Sequence, residues 1–446
     1  MRLIKPPAAA APTNRTVGAA LAAIPVILAL FTVPTASSAS CADAAETDLT
    51  ISGAHLLNAD SDTTTIHISG GLICALDSEP AQPKAGITID AHGLTVLPGL
   101  IDSHVHLFPI GSSTGIDSDA ALEKFIQSEL PKRLHEYLEH GVTTIVSVGD
   151  AWPAISELRG QISAGKIISP RLLITGPILT APGGYPATTI CKDSPWCRSH
   201  LTVELRNEDH ARQTVHELAD SGVDAIKLVY DDARAKKLEA NLVRVITTEA
   251  HELGLPVIAH ATNVADALEV TELGADVLAH LPAGGSVDKT FANQLQQRGV
   301  IVISTAGVYA PVKGPDNTQR TVFGLSYGPP FNHLYAQGIA NTRTLLNQKV
   351  LLAFGSGTAM FTPAQSLNGE RIALAKIPLA PSQLLDAMTI NAAQAIGRGT
   401  DLGSIEVGKH ADLVIVNARP DPGNILSADI VLVIKNGQIV IDRRKL

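Results

Sequence analysis

Positive charge is scarce in this chain: 34 Lys and Arg stand against 43 Asp and Glu, a formal net charge of −9. That balance excludes a basic nucleic-acid binder. No internal repeat or low-complexity segment follows the first 40 residues, which excludes a repeat architecture. Cysteines number only 4. What is abundant is apolar: 45% of residues are hydrophobic and 17% charged, a globular composition with a large core. The length of 446 residues suits one large domain and a smaller one.

The N-terminus reads as a secretory signal. Arg2, Lys5 and Arg15 precede an apolar run at 17–33, small residues follow at 35–40, and cleavage is expected after Ala39. The run is just short of the roughly 20 residues that span a bilayer, so an N-terminal membrane anchor stays open. A lipid anchor on Cys41 is the weaker alternative, since Ser38 stands where a lipobox places Leu. The expectation is export, to the periplasm or the medium, with any membrane attachment through the N-terminus alone.

In an oxidising compartment Cys191 and Cys197 can close a small loop as a disulfide. Their spacing does not fit the usual zinc pairs, and no second pair exists. Cys74, within the apolar run 72–76, is expected in a core.

Between residues 48 and 96, short β-type runs at 49–51, 64–68 and 86–90 alternate with Gly and Asp. From residue 97, eight strand-like runs appear at 99–104, 143–148, 171–179, 225–230, 257–261, 277–281, 300–304 and 350–355. Stretches of helical spacing lie among them at 119–140, 203–222, 233–254 and, after the last, 381–397. Eight strands in βα alternation predict an α/β fold with a closed parallel (β/α)8 TIM barrel. Strand patterns return at 411–416 and 429–434, then the turn Asn436-Gly437 and the run 438–441. These are expected to join the N-terminal strands in one small sheet domain. The division is therefore 1–40 signal or anchor, 41–96 and 398–446 the two parts of the small domain, and 97–397 the barrel.

Barrel chemistry is expected at the carboxyl ends of the strands. The first run ends in His104-Val105-His106, and residues two apart on a strand point the same way, so both imidazoles can meet one metal. Lys227 lies inside the fourth run, where burial lowers an amine's pKa and a neutral amine can take up carbon dioxide as a carbamate. The bland alternative is an ion pair with Asp231 or Asp232. His260 and His280 stand near the ends of the fifth and sixth runs. Each alone reads as structural; four histidines and a lysine distributed over four strand ends read as a metal centre.

With these motifs in place, the sequence resembles the amidohydrolase superfamily, in particular its exported imidazolonepropionase-like and prolidase-like members. The resemblance rests on residues 96–106 (VLPGLIDSHVH), Gly141-Val142-Thr143-Thr144, Ala225-Ile226-Lys227, and the segments 402–405 and 408–414. It implies a (β/α)8 barrel with a β-sandwich built from both termini. It further implies two divalent metal ions, with His104 and His106 on the first, carboxylated Lys227 bridging, and His260 and His280 on the second. Zinc is the expected ion, and manganese or cobalt could substitute. The implied activity is cleavage of an amide, peptide or carbamate C–N bond in a small molecule by metal-activated water.

One position departs from the family pattern. Where the eighth strand normally supplies a metal-binding aspartate that also serves as general base, the chain reads Phe354-Gly355-Ser356-Gly357-Thr358. Gly357 stands in the aspartate's place. The loss removes proton delivery to the leaving group, a contribution of about 10² to 10⁴ in rate. Asp231, Asp232 and Tyr230 are the nearby candidates to replace it. Gly357→Asp is therefore expected to restore a metal ligand and a proton shuttle together. Two other readings stay open: a family member that binds metal or ligand but catalyses poorly, and a non-hydrolytic lyase or isomerase.

The loop 180–200, carrying Tyr185 and the two cysteines, is a candidate substrate lid, or equally a braced surface insertion. Tyr185, Tyr230 near strand end four, Tyr309 near strand end seven and His333 in the loop before strand eight are candidate substrate contacts. A homo-oligomer stays open.

Overall fold

The computed structural model of this protein describes residues 48–56, 64–77, 86–111, 115–232, 235–313, 318–320, 328–358, 361–377, 379–418 and 428–444. The signal-like segment and Cys41 lie outside them.

Strands from the two ends of the chain share one eight-stranded sheet. Leu49–Leu56, Thr64–Ser69, Leu72–Asp77, Ile87–Asp90 and Thr95–Pro98 join Leu413–Asn417, Asp429–Lys435 and Gln438–Asp442. The seam between the termini is the antiparallel pairing of Leu97 with Val414 and Val96 with Ile415. Alternating residues Leu49, Ile51, Ile66, Ile68, Leu413, Ile415, Leu432 and Ile434 fill one buried cluster, which is the period-two pattern of strands with one packed face. At the Asn436-Gly437 turn both residues have positive φ, 47° and 71°, as a two-residue hairpin requires. Cys74 is buried, as expected, and is itself disulfide-bonded.

The rest is an α/β fold whose main strands run parallel, beside one short antiparallel pair, Val312–Lys313 with Gln319–Arg320. Leu100–Val105, Val142–Ser147 and Arg171–Ile174 form a three-stranded sheet. Seven further strands follow in the spatial order Thr202–Glu204, Ile178–Thr180, Ile226–Val229, Val257–His260, Val277–Leu278, Ile301–Ile303 and Leu351–Ala353. Hydrogen bonds link the two sheets on both sides. Ser103 N–H donates to Phe354 O (3.0 Å) and His106 N–H to Thr358 O (2.7 Å) at one junction, and Asp224 N–H to Ile174 O (2.8 Å) at the other. Ile101, Val146, Leu173, Ile258, Val277, Ile303 and Ala353, one from each of seven parallel strands, meet in a single buried cluster with Ala225, which precedes the strand Ile226–Val229. Their strand neighbours Ile145, Leu172, Leu228, Ala259, Leu278, Val302 and Leu352 belong instead to the layer shared with the helices. This two-faced burial fits a barrel.

Several expected elements are divided. The run 171–179 is two strands, because Gly176 takes φ 73° and Pro177 brings no N–H, so the ladder breaks and resumes with a different partner. The helical stretch 119–140 is two helices, Asp119–Ser128 and Leu130–Glu139, with Pro131 in the first turn of the second. The stretch 203–222 yields its first residues to the strand Thr202–Glu204. Its helix, Glu208–Asp220, begins after Asn207, whose side chain accepts from His210 N–H (2.9 Å).

Candidate metal centre

Four imidazoles gather at the carboxyl ends of the first, fifth and sixth parallel strands. Ring centroids lie 5.4 Å apart for His104 and His106, 4.8 Å for His104 and His280, and 4.5 Å for His260 and His280. His104, His260 and His280 are buried. Burial first, then the charge of Lys227, holds His104 well below the usual imidazole pKa; burial pushes His106 down to about 4. Both rings are therefore neutral at pH 7, the form that binds metals.

Neighbouring groups fix the ring orientations. His106 Nδ1–H donates to Gly149 O (2.7 Å), which leaves Nε2 with its lone pair. His280 Nδ1 meets Thr305 Oγ1 at 2.8 Å, and that hydroxyl in turn donates to Ala279 O (3.4 Å), so the proton belongs on Nδ1 and Nε2 is again the acceptor. Thr305 does this from a left-handed backbone, φ 36°, ψ 32°, which a β-branched residue adopts only under constraint. His260 stacks on Tyr185, centroids 5.0 Å apart, and its Nε2 lies 3.4 Å from Asp231 Oδ2.

Lys227 is 2% exposed, and burial alone lowers its pKa to about 7. Among the described residues its Nζ has no hydrogen-bond partner, and neither has Nδ1 of His104. The expected alternative, an ion pair from Lys227 to Asp231 or Asp232, is not formed. Asp231 Oδ2 accepts instead from Thr262 Oγ–H (2.5 Å) and Thr262 N–H (3.3 Å). Nitrogen donors buried without partners beside neutral imidazoles are the chemistry a divalent cation with an anionic bridge would satisfy, so the residues present fit such a group.

Gly357 follows the strand Leu351–Ala353 with φ 62°, its N–H donating to His104 O (2.9 Å). A Cβ at this position would meet Val308 Cγ2 at 2.4 Å. The expectation that an aspartate simply drops into place is thus corrected: the backbone is left-handed, and Val308, from the turn after the seventh strand, fills the space.

The remaining candidates divide. Tyr185 reaches the cluster through its stack on His260. Tyr230 is buried with Lys237 Nζ 4.5 Å from its ring centre, and Lys237 is in turn held by Asp266 (2.7 Å) and Glu269 (3.0 Å). Tyr309 is buried in the short helix Ala306–Tyr309. His333 is exposed on the helix Pro329–Asn347 rather than in a loop, because Pro329 and Pro330 open a helical turn there. Cys191 and Cys197 are disulfide-bonded, with Cα atoms 5.3 Å apart. The loop they brace is tied down by Gly183 N–H to Glu204 (2.7 Å) and Thr180 Oγ–H to Tyr185 O (2.7 Å).

Two acids not singled out from the sequence support the centre. Asp102 Oδ1 accepts from Ser356 N–H (2.9 Å) and His104 N–H (3.3 Å), joining the first and eighth strand ends. Asp150 accepts from Leu107 N–H (2.9 Å), Phe108 N–H (3.0 Å) and Ser147 Oγ–H (2.6 Å), which holds the turn behind His106. Burial raises both to about 7. Asp102 is signalled by its place two residues before His104; Asp150 has no comparable sequence mark. Asp231, Asp232 and Asp266 also approach one another, with oxygens within 4.8 Å, beside the Lys237 cation.

Parallel strands bearing a histidine cluster at their carboxyl ends define a class of metal-site α/β proteins, and sequence comparison makes the assignment specific. Residues 95–440 match the amidohydrolase family, and the chain belongs to that family. It is 25% identical over 383 residues to the imidazolonepropionase of Thermoanaerobacter pseudethanolicus, covering 79% of this chain and 83% of that one. The imidazolonepropionase of Geobacillus thermodenitrificans is 28% identical over 394 residues, 80% and 83% of the two chains. Among solved structures, a prolidase complexed with N-methylphosphonate-L-proline superposes with a TM-score of 0.74 at 22% identity, covering 88% of this chain and 99% of that one. Divalent metal ions are general in the family.

Proposed function

We propose that the protein is an exported metal-dependent amidohydrolase that cleaves an amide, peptide or carbamate C–N bond in a small molecule. In this proposal the eight strands close as a (β/α)8 barrel over 97–397, and 41–96 with 398–446 form a β-sandwich. The observation that carries the proposal is the cluster of the buried His104, His260 and His280 with the half-buried His106 and the unpartnered Nζ of Lys227. His104 and His106 would hold one ion, His260 and His280 a second, with carboxylated Lys227 between them. Bound there, zinc would lower the pKa of water to about 7 and polarise a carbonyl. The chain's own residues do the rest: Gly149 and Thr305 present the imidazoles as neutral ligands, and Tyr185 covers His260 from the braced loop. The signal-like N-terminus and the Cys191–Cys197 disulfide favour an oxidising destination.

A second reading, metal binding with weak catalysis, is favoured by Gly357 and the side chain of Val308 against it. Hydrolysis assays on dipeptides, N-acyl amino acids, lactones and aryl esters, with zinc-loaded and chelated protein, separate the two. Metal-dependent cleavage of a C–N bond supports the first reading; cleavage of none of the panel by loaded protein leaves the second.

A further inference from the structure

Metal centres built from neutral imidazoles need negative charge nearby, and with glycine at 357 the eighth strand offers none. Among the described residues, a carboxylate reaches a candidate ligand nitrogen from the fourth strand end. Asp231 follows the strand Ile226–Val229, and its side chain is 0% exposed. Its Oδ2 lies 3.4 Å from Nε2 of His260 and accepts the Thr262 hydroxyl at 2.5 Å and the Thr262 N–H at 3.3 Å. Thr262 comes two residues after His260, so a single turn of chain carries both the imidazole and the clamp on its carboxylate. One face of the ring is held as well, by the stack on Tyr185.

We infer that Asp231 is a positioning residue of the metal centre, pairing with Nε2 of His260 so that the imidazole presents its other nitrogen to the metal with raised basicity. The inference rests on the metal-centre reading above. A carboxylate on one ring nitrogen fixes the tautomer and the ring plane, and removing such partners typically costs about 10- to 100-fold in metal affinity. Two Thr262 donors already on Oδ2 suit this role better than direct ligation. Asp231 thereby places at the second site, through His260, a negative charge of the kind the family pattern places at position 357.

The test is Co²⁺ and Zn²⁺ affinity by chelator competition, together with the visible absorption of the Co²⁺-loaded protein, for wild type, Asp231→Asn and Thr262→Val. Asp231→Asn keeps the shape and an oxygen for Thr262 but removes the charge. Its metal affinity is expected to fall by about 10- to 100-fold with an altered Co²⁺ spectrum, while the metal-free protein melts as wild type does. Thr262→Val, which removes the hydroxyl from Oδ2 but keeps the backbone N–H, is expected to fall in the same direction by less. Wild-type affinity and spectrum in Asp231→Asn would overturn the inference and leave the metal centre standing. A wild-type protein that binds neither ion overturns the metal centre itself. Should Asp231→Asn not fold, unchanged affinity in Thr262→Val overturns the inference.

Discussion

Val308 Cγ2 lies 2.4 Å from where a Cβ on residue 357 would stand, so the turn after the seventh strand occupies the volume that an acidic side chain on the eighth would need. Two barriers therefore face Gly357→Asp: a left-handed backbone, costing about 1–2 kcal/mol for a residue with a Cβ, and overpacking, typically about 1–3 kcal/mol. The single variant is expected to unfold at lower temperature than wild type without gaining amide hydrolysis. Combined with Val308→Ala it should recover stability, bind metal more tightly and raise amide turnover by roughly 10² or more. Equal behaviour of the single and double variants would show that Val308 is not the obstacle.

Lys227 should make metal loading depend on bicarbonate and pH. Its pKa of about 7 leaves the amine increasingly neutral above that value and protonated below it, and only the neutral form takes up carbon dioxide. Zinc retention in bicarbonate is expected to decline between pH 8 and pH 6, and Lys227→Gln should lose the bicarbonate dependence altogether. Metal content measured after gel filtration decides it; a Lys227→Gln protein still responsive to bicarbonate would speak against carboxylation.

Glu370 gives a stability signature. Burial raises its carboxyl from 4.5 to about 7, and its Oε2 accepts from Gly307 N–H (2.5 Å) behind the seventh strand end. The folded state therefore holds the proton more tightly than the unfolded one. This contribution is full below about pH 4.5 and is lost as pH rises through 7, on the order of 3 kcal/mol in all. Glu370→Gln should flatten the fall in stability between pH 5 and 7. Urea denaturation across that range reads the difference, and parallel slopes in the two proteins would refute it.

Both Cys191 and Cys197 should resist thiol titration in denatured protein prepared without reductant. Replacing Cys197 by Ser is expected to cost roughly 2 kcal/mol, the value for so short a loop, and to loosen Tyr185 over His260. Two free thiols in that protein would exclude the bridge.

Strand positions were legible because the runs are apolar, short and bounded by Gly, Pro and Asp, and the His-x-His spacing marked one strand end directly. The break within 171–179 was also written in the chain, as Gly176-Pro177, but a continuous apolar run masked it. The partner of Asp231 was not legible: spacing brought it near Lys227 on its own strand, while the fold turns it to Thr262 and His260 on the next. The same holds for Val308 and Gly357, which meet only because two turns, each after a different strand, pack together. Nor does any sequence rule announce a threonine with φ 36°, as at Thr305, since that conformation is imposed by its surroundings.

The most direct test is elemental analysis of the wild-type protein after exposure to zinc and bicarbonate, beside His260→Ala and His104→Ala. About two zinc ions per wild-type chain, falling toward one or none in each variant, is the expected result for a binuclear site. Wild-type protein without zinc, or zinc retained undiminished when either histidine is gone, would contradict the metal centre.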